Sequence, residues 1–154
     1  EYAFVKDAAM VKVNLLGAMA WINPAAAYME AARAGTIVGI SSIAGERGRR
    51  GNPAYCASKA GFTAWLEGLR NRLTRYGVDV ITIKPGFVDT AQFRSAGIDK
   101  TPPGLSPITA ERCAGRIIAL ARGGPNSAFV PARWGLVALI IRLIPSWLFR
   151  KTNI

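Results

Sequence analysis

The fold class of this chain follows from residues 36–76, which read TIVGISSIAGERGRRGNPAYCASKAGFTAWLEGLRNRLTRY. The stretch opens with a β-branched run, residues 36–42, whose dense apolar side chains are typical of a strand covered on both faces. The Gly- and Arg-rich residues 43–54 predict a loop. Apolar side chains then recur at helical spacing over residues 55–76, and Gly77 is expected to end that helix. The stretch therefore predicts a strand, a loop and a helix, in that order.

The same alternation continues on both sides of this stretch. Before it, residues 6–34 show helical spacing, and Pro24 inside them predicts a kink or a break. After it, residues 78–83 predict a second strand, and the aperiodic residues 87–108 predict a long loop. The rest of the chain predicts a helix over residues 109–122 with Thr109 as its N-cap, a short strand over 127–131 and an apolar segment over 134–149.

Alternating helices and strands are typical of an α/β fold with a parallel sheet and flanking helices. Only three strands are visible, and the Gly-rich phosphate loop that follows the first strand of such folds is not found in the sequence. The chain also starts at Glu1, close to a predicted helix. We therefore expect the C-terminal half of a doubly wound, Rossmann-type domain over residues 1–131, followed by an apolar and basic tail over residues 132–154.

Composition excludes several classes of function. The chain has 154 residues and no His, which excludes Ser-His-Asp triads, His-based acid/base catalysis and His-ligated zinc. Its two Cys, Cys56 and Cys113, are too far apart for a CxxC or zinc-finger site, so no metal site is predicted. A disulfide scaffold is equally unexpected, and a reducing, cytoplasmic compartment is the default. The net charge of +11 favours nucleic acid, an anionic membrane surface or a phosphorylated ligand.

Several polar residues are predicted to lie where open α/β sheets place their ligands. Ser42 ends the first predicted strand, and the carboxyl ends of parallel strands meet at one edge. Tyr55 and Lys59 are four positions apart on the following helix and therefore share a face. Asn14 lies on the preceding helix, and the second strand is followed by PGFVDT at residues 85–90. These residues form the candidate site.

This set of motifs resembles the short-chain dehydrogenase/reductase family over about residues 5–131. The matching elements, in order and spacing, are Asn14, ISS at 40–42, YxxxK at 55–59 and PGxVxT at 85–90. The resemblance implies an oxidoreductase that transfers a hydride between a nicotinamide cofactor and a ketone or secondary alcohol. The cofactor is expected to be NAD or NADP, and this sequence does not contain the residues that choose between them. The chain alone is expected to be inactive.

The resemblance implies a role for each site residue. Tyr55 is the expected general acid/base, and the Lys59 ammonium with the positive nicotinamide ring would favour its phenolate form. Ser42 is expected to orient and polarise the carbonyl, and Lys59 also to hold the nicotinamide ribose hydroxyls. Asn14 is expected to position a water for a proton relay to Lys59. The residues expected to clamp the nicotinamide amide are Pro85, Gly86, Val88 and Thr90.

Plainer interpretations of the same residues exist. Tyr55 and Lys59 are also consistent with a surface pair on a helix, and Ser42 with a hydroxyl that merely ends a strand. Asn14 is also consistent with an ordinary residue of a helix interior, and Pro85-Gly86 with a plain turn. Ser41 is expected to be structural, because neighbouring side chains of a strand face opposite ways.

Basic residues are concentrated in a loop and in the tail. Arg47, Arg49 and Arg50 form either a solvated loop or a phosphate-binding edge, since Arg pairs bidentately with phosphate. The longest apolar run of the tail, residues 135–141, is too short to span a bilayer. Residues 133–151 therefore predict either peripheral contact with the inner face of the cytoplasmic membrane or a helix packed on the core or a second subunit.

Three segments narrow the resemblance. GERGRRGN at 45–52, VITIKPGFVDT at 80–90 and IRLIPSWLFRK at 141–151 resemble the branch of decaprenylphosphoryl-2-keto-ribose reductases and their bacterial relatives. This branch implies a lipid-linked keto-sugar as the substrate. The alternatives are a soluble keto substrate such as a 3-oxoacyl thioester, or a non-catalytic membrane-associated scaffold. The family also implies a homodimer or tetramer, whereas nucleic-acid binding is not expected because no recognised motif is present.

Overall fold

The computed structural model describes residues 2–95 and 101–152. Residues 96–100, which belong to the predicted loop over 87–108, lie outside the described residues, as do Glu1 and residues 153–154. The first half of the chain forms α1 Phe4–Val11, a π-helical turn Lys12–Gly17, α2 Ala18–Ala32, β1 Gly35–Ile40, a 3₁₀ turn Ile43–Glu46, α3 Pro53–Leu73 and a 3₁₀ turn Thr74–Tyr76. The second half forms β2 Val78–Pro85, β3 Val88–Asp89, α4 Ala91–Ser95, β4 Ile108–Thr109, α5 Ala110–Ala121, β5 Ser127–Val130, α6 Trp134–Leu143 and α7 Ser146–Phe149.

The N-terminal helix differs from its prediction at Pro24. Helix α2 continues through Pro24 without a break, because Ile22 and Ala26 on the same helix are held against the core. The irregularity lies earlier, in the π-helical turn Lys12–Gly17, which contains Asn14. Single π turns inside α-helices are frequent at functional sites.

Strands β1, β2 and β5 form one parallel sheet in the order β1-β2-β5. The expectation of a long loop over 87–108 is wrong in part. Within that segment, β3 and β4 pair with each other in parallel, and α4 follows β3 directly. The two short strands are only two residues long each, which is too short to show a periodicity.

Helices cover the sheet on both faces. On one face, Phe62, Leu66 and Leu73 of α3 pack with Val78 and Val80 of β2. The contact is close, since a Cβ on Gly39 would come within 2.2 Å of Leu66 Cδ1, so the strand needs glycine at that position. The other face forms a second cluster, in which residues of β2 and β5 pack against Cys113, Ile117 and Leu120 of α5.

The segment after β5 folds back onto the carboxyl edge of the sheet. Trp134 and Ala138 of α6 are buried and form a third cluster with Ile43 of the first 3₁₀ turn. The opposite face of α6 is exposed at Leu136, Leu139, Ile140 and Leu143. Among the described residues, no helix has both the length and the apolar character needed to cross a bilayer. The division of the chain at residue 131 stays a prediction.

Candidate active site

A cavity of about 520 Å³ lies at the edge where the parallel strands end. Seven of the predicted site residues line it: Ser42, Tyr55, Lys59, Pro85, Gly86, Val88 and Thr90. They come from the ends of β1 and β2, from the first turns of α3 and from the segment that enters α4. The fold thus brings together residues from three separate sequence motifs, as expected for a parallel α/β sheet. Their chemical roles stay predictions.

The two serines after β1 face different surroundings. Ser41 is buried away from solvent, donates a hydrogen bond to the Lys59 carbonyl at 3.0 Å and shares another with Thr63 Oγ1 at 2.6 Å. Ser42 Oγ accepts a hydrogen bond from the Ala44 amide at 3.1 Å, so it caps the 3₁₀ turn Ile43–Glu46. Its hydroxyl hydrogen is thereby still available to a group in the cavity.

Tyr55 and Lys59 lie one helical turn apart at the start of α3. The Lys59 ammonium donates to the Ile40 carbonyl at 3.1 Å, at the end of β1. The same nitrogen lies 5.9 Å from the centre of the Tyr55 ring. Burial lowers the pKa of Lys59, because desolvation disfavours the ammonium form. The arrangement holds a cation beside the phenol at the carboxyl edge of the sheet.

Asn14 does not line the cavity. Its Nδ2 donates to Ser58 Oγ at 3.3 Å, and Ser58 Oγ donates in turn to the Tyr55 carbonyl at 2.8 Å. The π-helical turn therefore directs Asn14 against the turn of α3 that joins Tyr55 to Lys59. This contact ties the first helix to the helix that carries the candidate acid/base pair.

The Pro85–Thr90 segment is held from two sides. The Gly86 amide donates to the Val130 carbonyl at 2.9 Å, which extends the pairing of β2 with β5. A Cβ on Gly86 would lie 2.0 Å from Trp134 Nε1, so only glycine permits the indole to approach this closely. Thr90 Oγ1 accepts from the Phe93 amide at 3.2 Å and keeps its own hydrogen to donate.

Arg47 has a role that neither interpretation of the basic loop anticipates. Its guanidinium donates to the carbonyls of Ile141, at 2.7 Å, and of Ile144, and lies 4.0 Å from the centre of the Phe149 ring. It therefore caps the end of α6. Beside it, the half-buried Glu46 pairs with Lys84 at 2.7 Å and with Arg142 at 3.5 Å.

Other residues around the cavity were not among the predicted catalytic or cofactor-binding residues. The lining also includes Met10, Asn52, Phe87, Phe93, Cys113 and Ile117, together with Arg49 from the basic loop. Periodicity marks Cys113 and Ile117 only as residues on the core-facing side of a helix. Arg49 belongs to the basic loop that was a candidate phosphate-binding edge, and no local signal distinguishes Met10, Asn52, Phe87 and Phe93. Among the described residues, no group of three or more His, Cys, Asp or Glu is placed to hold a metal ion.

The parallel sheet and the polar cavity at its carboxyl edge define a Rossmann-type α/β protein. The family model described as short chain dehydrogenase matches residues 5–101, and this chain belongs to that family. The predicted α/β fold with a parallel sheet is confirmed by solved structures of the same class. A short chain dehydrogenase from Burkholderia cenocepacia J2315 in complex with NADP aligns with a TM-score of 0.81 at 22% identity, over 97% of this chain and 60% of that one.

Curated relatives include oxidoreductases of known and unknown activity. An acetoacetyl-CoA reductase of Synechocystis sp. is 44% identical over 82 residues, which are 53% of this chain and 34% of the relative. An uncharacterized oxidoreductase of Mycobacterium tuberculosis is 30% identical over 149 residues, which are 93% of this chain and 55% of the relative. The chain thus spans about half, or less, of the length of these relatives.

Proposed function

We propose that this chain supplies the catalytic residues of an NAD- or NADP-dependent oxidoreductase that interconverts a ketone and a secondary alcohol. The observation that carries the proposal is the meeting of Ser42, Tyr55 and Lys59 around one cavity at the carboxyl edge of the sheet. The names of relatives support the reaction class, since acetoacetyl-CoA reductase and a 3-oxoacyl-[acyl-carrier-protein] reductase are among them. The proposal includes the compartment and the cofactor: the enzyme is cytoplasmic and uses either NAD or NADP.

The residues present fit a nicotinamide dinucleotide. Lys59 uses one hydrogen on the Ile40 carbonyl and has two more for ribose hydroxyls, while Thr90 has a hydroxyl hydrogen for the carboxamide. Pro85 and Gly86, neither of which has a long side chain, line the cavity wall, where a flat ring could lie. When bound, the cofactor would supply or accept the hydride. Similar solved structures hold NADP or NAD, so both stay in the proposal.

The chain's own residues donate a proton and a hydrogen bond to the carbonyl oxygen of the substrate. As the carbonyl carbon is reduced, the carbonyl oxygen takes the proton from the Tyr55 hydroxyl and becomes an alcohol. The Ser42 hydroxyl donates a hydrogen bond to that oxygen, which stabilises the charge that develops on it. The Lys59 ammonium stabilises the phenolate that Tyr55 leaves behind. Asn14 holds the α3 turn through Ser58, and its proposed water relay to Lys59 would return the proton.

The test is Tyr55→Phe in the complete gene product that contains this chain. We expect turnover of ketones to fall by about 10²- to 10⁴-fold, because the proton donor is removed. Binding of the reduced cofactor, followed by its fluorescence, should persist. Tyr76→Phe is the matched control, since Tyr76 lies at the far end of α3 between Arg33 and Arg75 and should leave turnover unchanged. Full turnover in Tyr55→Phe would contradict the proposed function.

We also propose a lipid-linked keto-sugar as the substrate, brought to the site at the inner face of the cytoplasmic membrane. The observation that favours it is the exposed apolar face of α6 and α7, which carries Leu136, Leu139, Ile140, Leu143 and Trp147. Arg142 on the same helix is 65% exposed, and Arg150 and Lys151 follow α7. A helix with an apolar face beside cations is typical of peripheral contact with anionic lipid.

Vesicle flotation tests the membrane contact. Trp147→Ala should reduce flotation with phosphatidylglycerol vesicles, whereas Trp21→Ala should not, although Trp21 is 83% exposed on α2. Equal flotation of both variants and the wild type would contradict the proposal. In that case a soluble 3-oxoacyl thioester is the better substrate class, which the identity to acetoacetyl-CoA reductase favours. Wild-type turnover of acetoacetyl-CoA compared with that of keto-sugars distinguishes the two.

A homodimer or tetramer belongs to the proposal as well. Helices α1 and α2 and the π-helical turn between them expose five large apolar side chains, and exposed apolar surface of this kind often marks an interaction site: Val5, Val13, Leu16, Trp21 and Tyr28. Light scattering after size exclusion should show a mass above that of a single chain, and Leu16→Glu should lower it.

A further inference from the structure

Arg49 carries a buried donor that the fold does not satisfy. Its side chain lines the cavity together with Ser42 and Tyr55, on the loop that leads into α3. Its Nε–H is buried and meets no hydrogen-bond acceptor within residues 2–95 and 101–152. Buried polar groups without a partner are rare in native proteins, and each needs an explanation. An acceptor on a ligand in the cavity would supply one.

The charge of the cavity indicates the kind of acceptor. The described residues that line it include two cations, Arg49 and Lys59, and neither Asp nor Glu. Glu46, the acidic residue of the same loop, is engaged by Lys84 and Arg142. With Lys59 assigned to Tyr55 and the ribose, the charge of Arg49 lacks a counterpart on the cavity wall. A group that enters beside it therefore gains most if it is an anion.

The neighbouring arginines show that this position is specific. Arg47 does not line the cavity, and its guanidinium donates to the carbonyls of Ile141 and Ile144. Arg50 is exposed. Arg49 alone of these three lines the cavity. The planar guanidinium is suited to bidentate hydrogen bonds with phosphate or carboxylate. We infer that Arg49 is a specificity residue that binds a phosphate or carboxylate group of the carbonyl substrate, an inference that rests on the proposed function.

Binding of small anions tests this without any turnover. Inorganic phosphate and acetate are titrated by calorimetry, at constant ionic strength, into the complete gene product that contains this chain and into its Arg49→Gln and Arg50→Gln variants. We expect at least one of the two anions to bind the wild type, and Arg49→Gln to raise its Kd by about 10- to 100-fold, which is the usual effect of a lost hydrogen bond to a charged group. The Kd of Arg50→Gln should stay within about twofold of the wild-type value.

An effect of Arg49→Gln on phosphate binding alone assigns a phosphorylated substrate, and an effect on acetate binding alone assigns a carboxylate. Equal affinities of wild type and Arg49→Gln, or no binding of either anion, would overturn the inference.

Kinetics of matched ketones in the complete gene product provide the second arm. The pairs are fructose 6-phosphate against fructose, and acetoacetate against its methyl ester. Arg49→Gln should lower kcat/KM for the anionic member of a pair and spare the neutral one. An equal loss for both members would show a structural role and overturn the inference. Tyr55→Phe should lower turnover by about 10²- to 10⁴-fold while keeping anion binding. Failure of the proposed function therefore shows as a wild type without ketone turnover, and failure of the present inference as anion binding that does not depend on Arg49.

Discussion

Two regions of this molecule use similar residues but differ in how far apart in sequence the contacting residues lie. The first region is called the catalytic edge for the proposed roles of its residues Ser42, Tyr55 and Lys59. These residues are close in sequence, and the contact from Lys59 to Ile40 spans 19 positions. The tail junction, which comprises Arg47, Trp134, Phe149 and α6, joins Arg47 to Ile141 across 94 positions. Both regions pair a cation with backbone carbonyls and an aromatic ring. The difference teaches that sequence spacing indicates a local contact such as that of Lys59 with Ile40, whereas it gives no sign of the distant partners of Arg47.

The two regions meet at the Pro85–Thr90 segment. Trp134 of the tail junction covers Gly86, and its ring lies 4.8 Å from that of Phe87 in an edge-on contact. Glu46 pairs with Lys84 at the end of β2 on one side and with Arg142 of α6 on the other. The tail therefore forms a wall behind the candidate active site, and its removal should disturb the segment expected to hold the nicotinamide.

The largest effect on stability is expected from Trp134→Ala, which tests whether the tail junction is anchored to the core. Trp134 is 4% exposed, and its truncation should lower the free energy of unfolding by about 3–5 kcal/mol, since a buried aromatic side chain leaves a large void. Urea unfolding of the chain measures the change. Trp147→Ala is the control, because Trp147 is 63% exposed and should cost less than about 0.5 kcal/mol. Similar losses in the two variants would mean that α6 is not anchored to the core.

A smaller effect is expected from Arg47→Gln, which removes the cap of α6. The lost hydrogen bonds to Ile141 and Ile144 and the lost contact with Phe149 should lower the free energy of unfolding by about 1.5–3 kcal/mol. Arg142→Gln is the matched control, since Arg142 is largely exposed and its ion pair with Glu46 is long at 3.5 Å. Urea midpoints of the two variants should therefore differ. If Arg142→Gln costs as much as Arg47→Gln, the capping role assigned to Arg47 is wrong.

The same contrast explains how much of the structure could be predicted. Strand β1, helix α3 and strand β2 follow from local periodicity, and the meeting of YxxxK with Ser42 was expected from the family resemblance. The capping of α6 by Arg47 could not be predicted, because an arginine in a Gly-rich loop has the same local pattern whether it is solvated or engaged. The contact of Asn14 with Ser58, the neighbour of Lys59, could not be predicted either, because spacing does not indicate the π-helical turn that carries Asn14, and its water relay to Lys59 stays a prediction.

A locally encoded feature of the second half should have a still smaller effect. Thr109 was predicted as an N-cap, and the structure confirms it, with Thr109 Oγ1 accepting from the Arg112 amide at 3.2 Å. Thr109→Ala should lower the free energy of unfolding by about 1 kcal/mol, whereas Thr109→Ser, which keeps the hydroxyl, should cost little. Thermal unfolding of the two variants measures the difference. An equal loss in both would assign the effect to the methyl group and not to the cap.

The smallest expected effect lies in the catalytic edge and depends on pH. Burial lowers the pKa of Lys59 below its ordinary value of 10.5, so the unfolded chain binds more protons than the folded one between the lowered pKa and 10.5. Stability should therefore rise with pH in that window, by an amount reduced by the partial exposure of the side chain.

Lys59→Met removes this pH dependence. The free energy of unfolding of the wild type should therefore increase relative to that of Lys59→Met as the pH approaches 10.5. Lys12→Met, which removes an exposed lysine of the π-helical turn, is the control and should follow the wild-type curve. Parallel curves for the wild type and Lys59→Met would show that Lys59 is as well solvated as a surface lysine, and the catalytic edge would then hold its cation no more firmly than the exposed face of the tail holds Arg142.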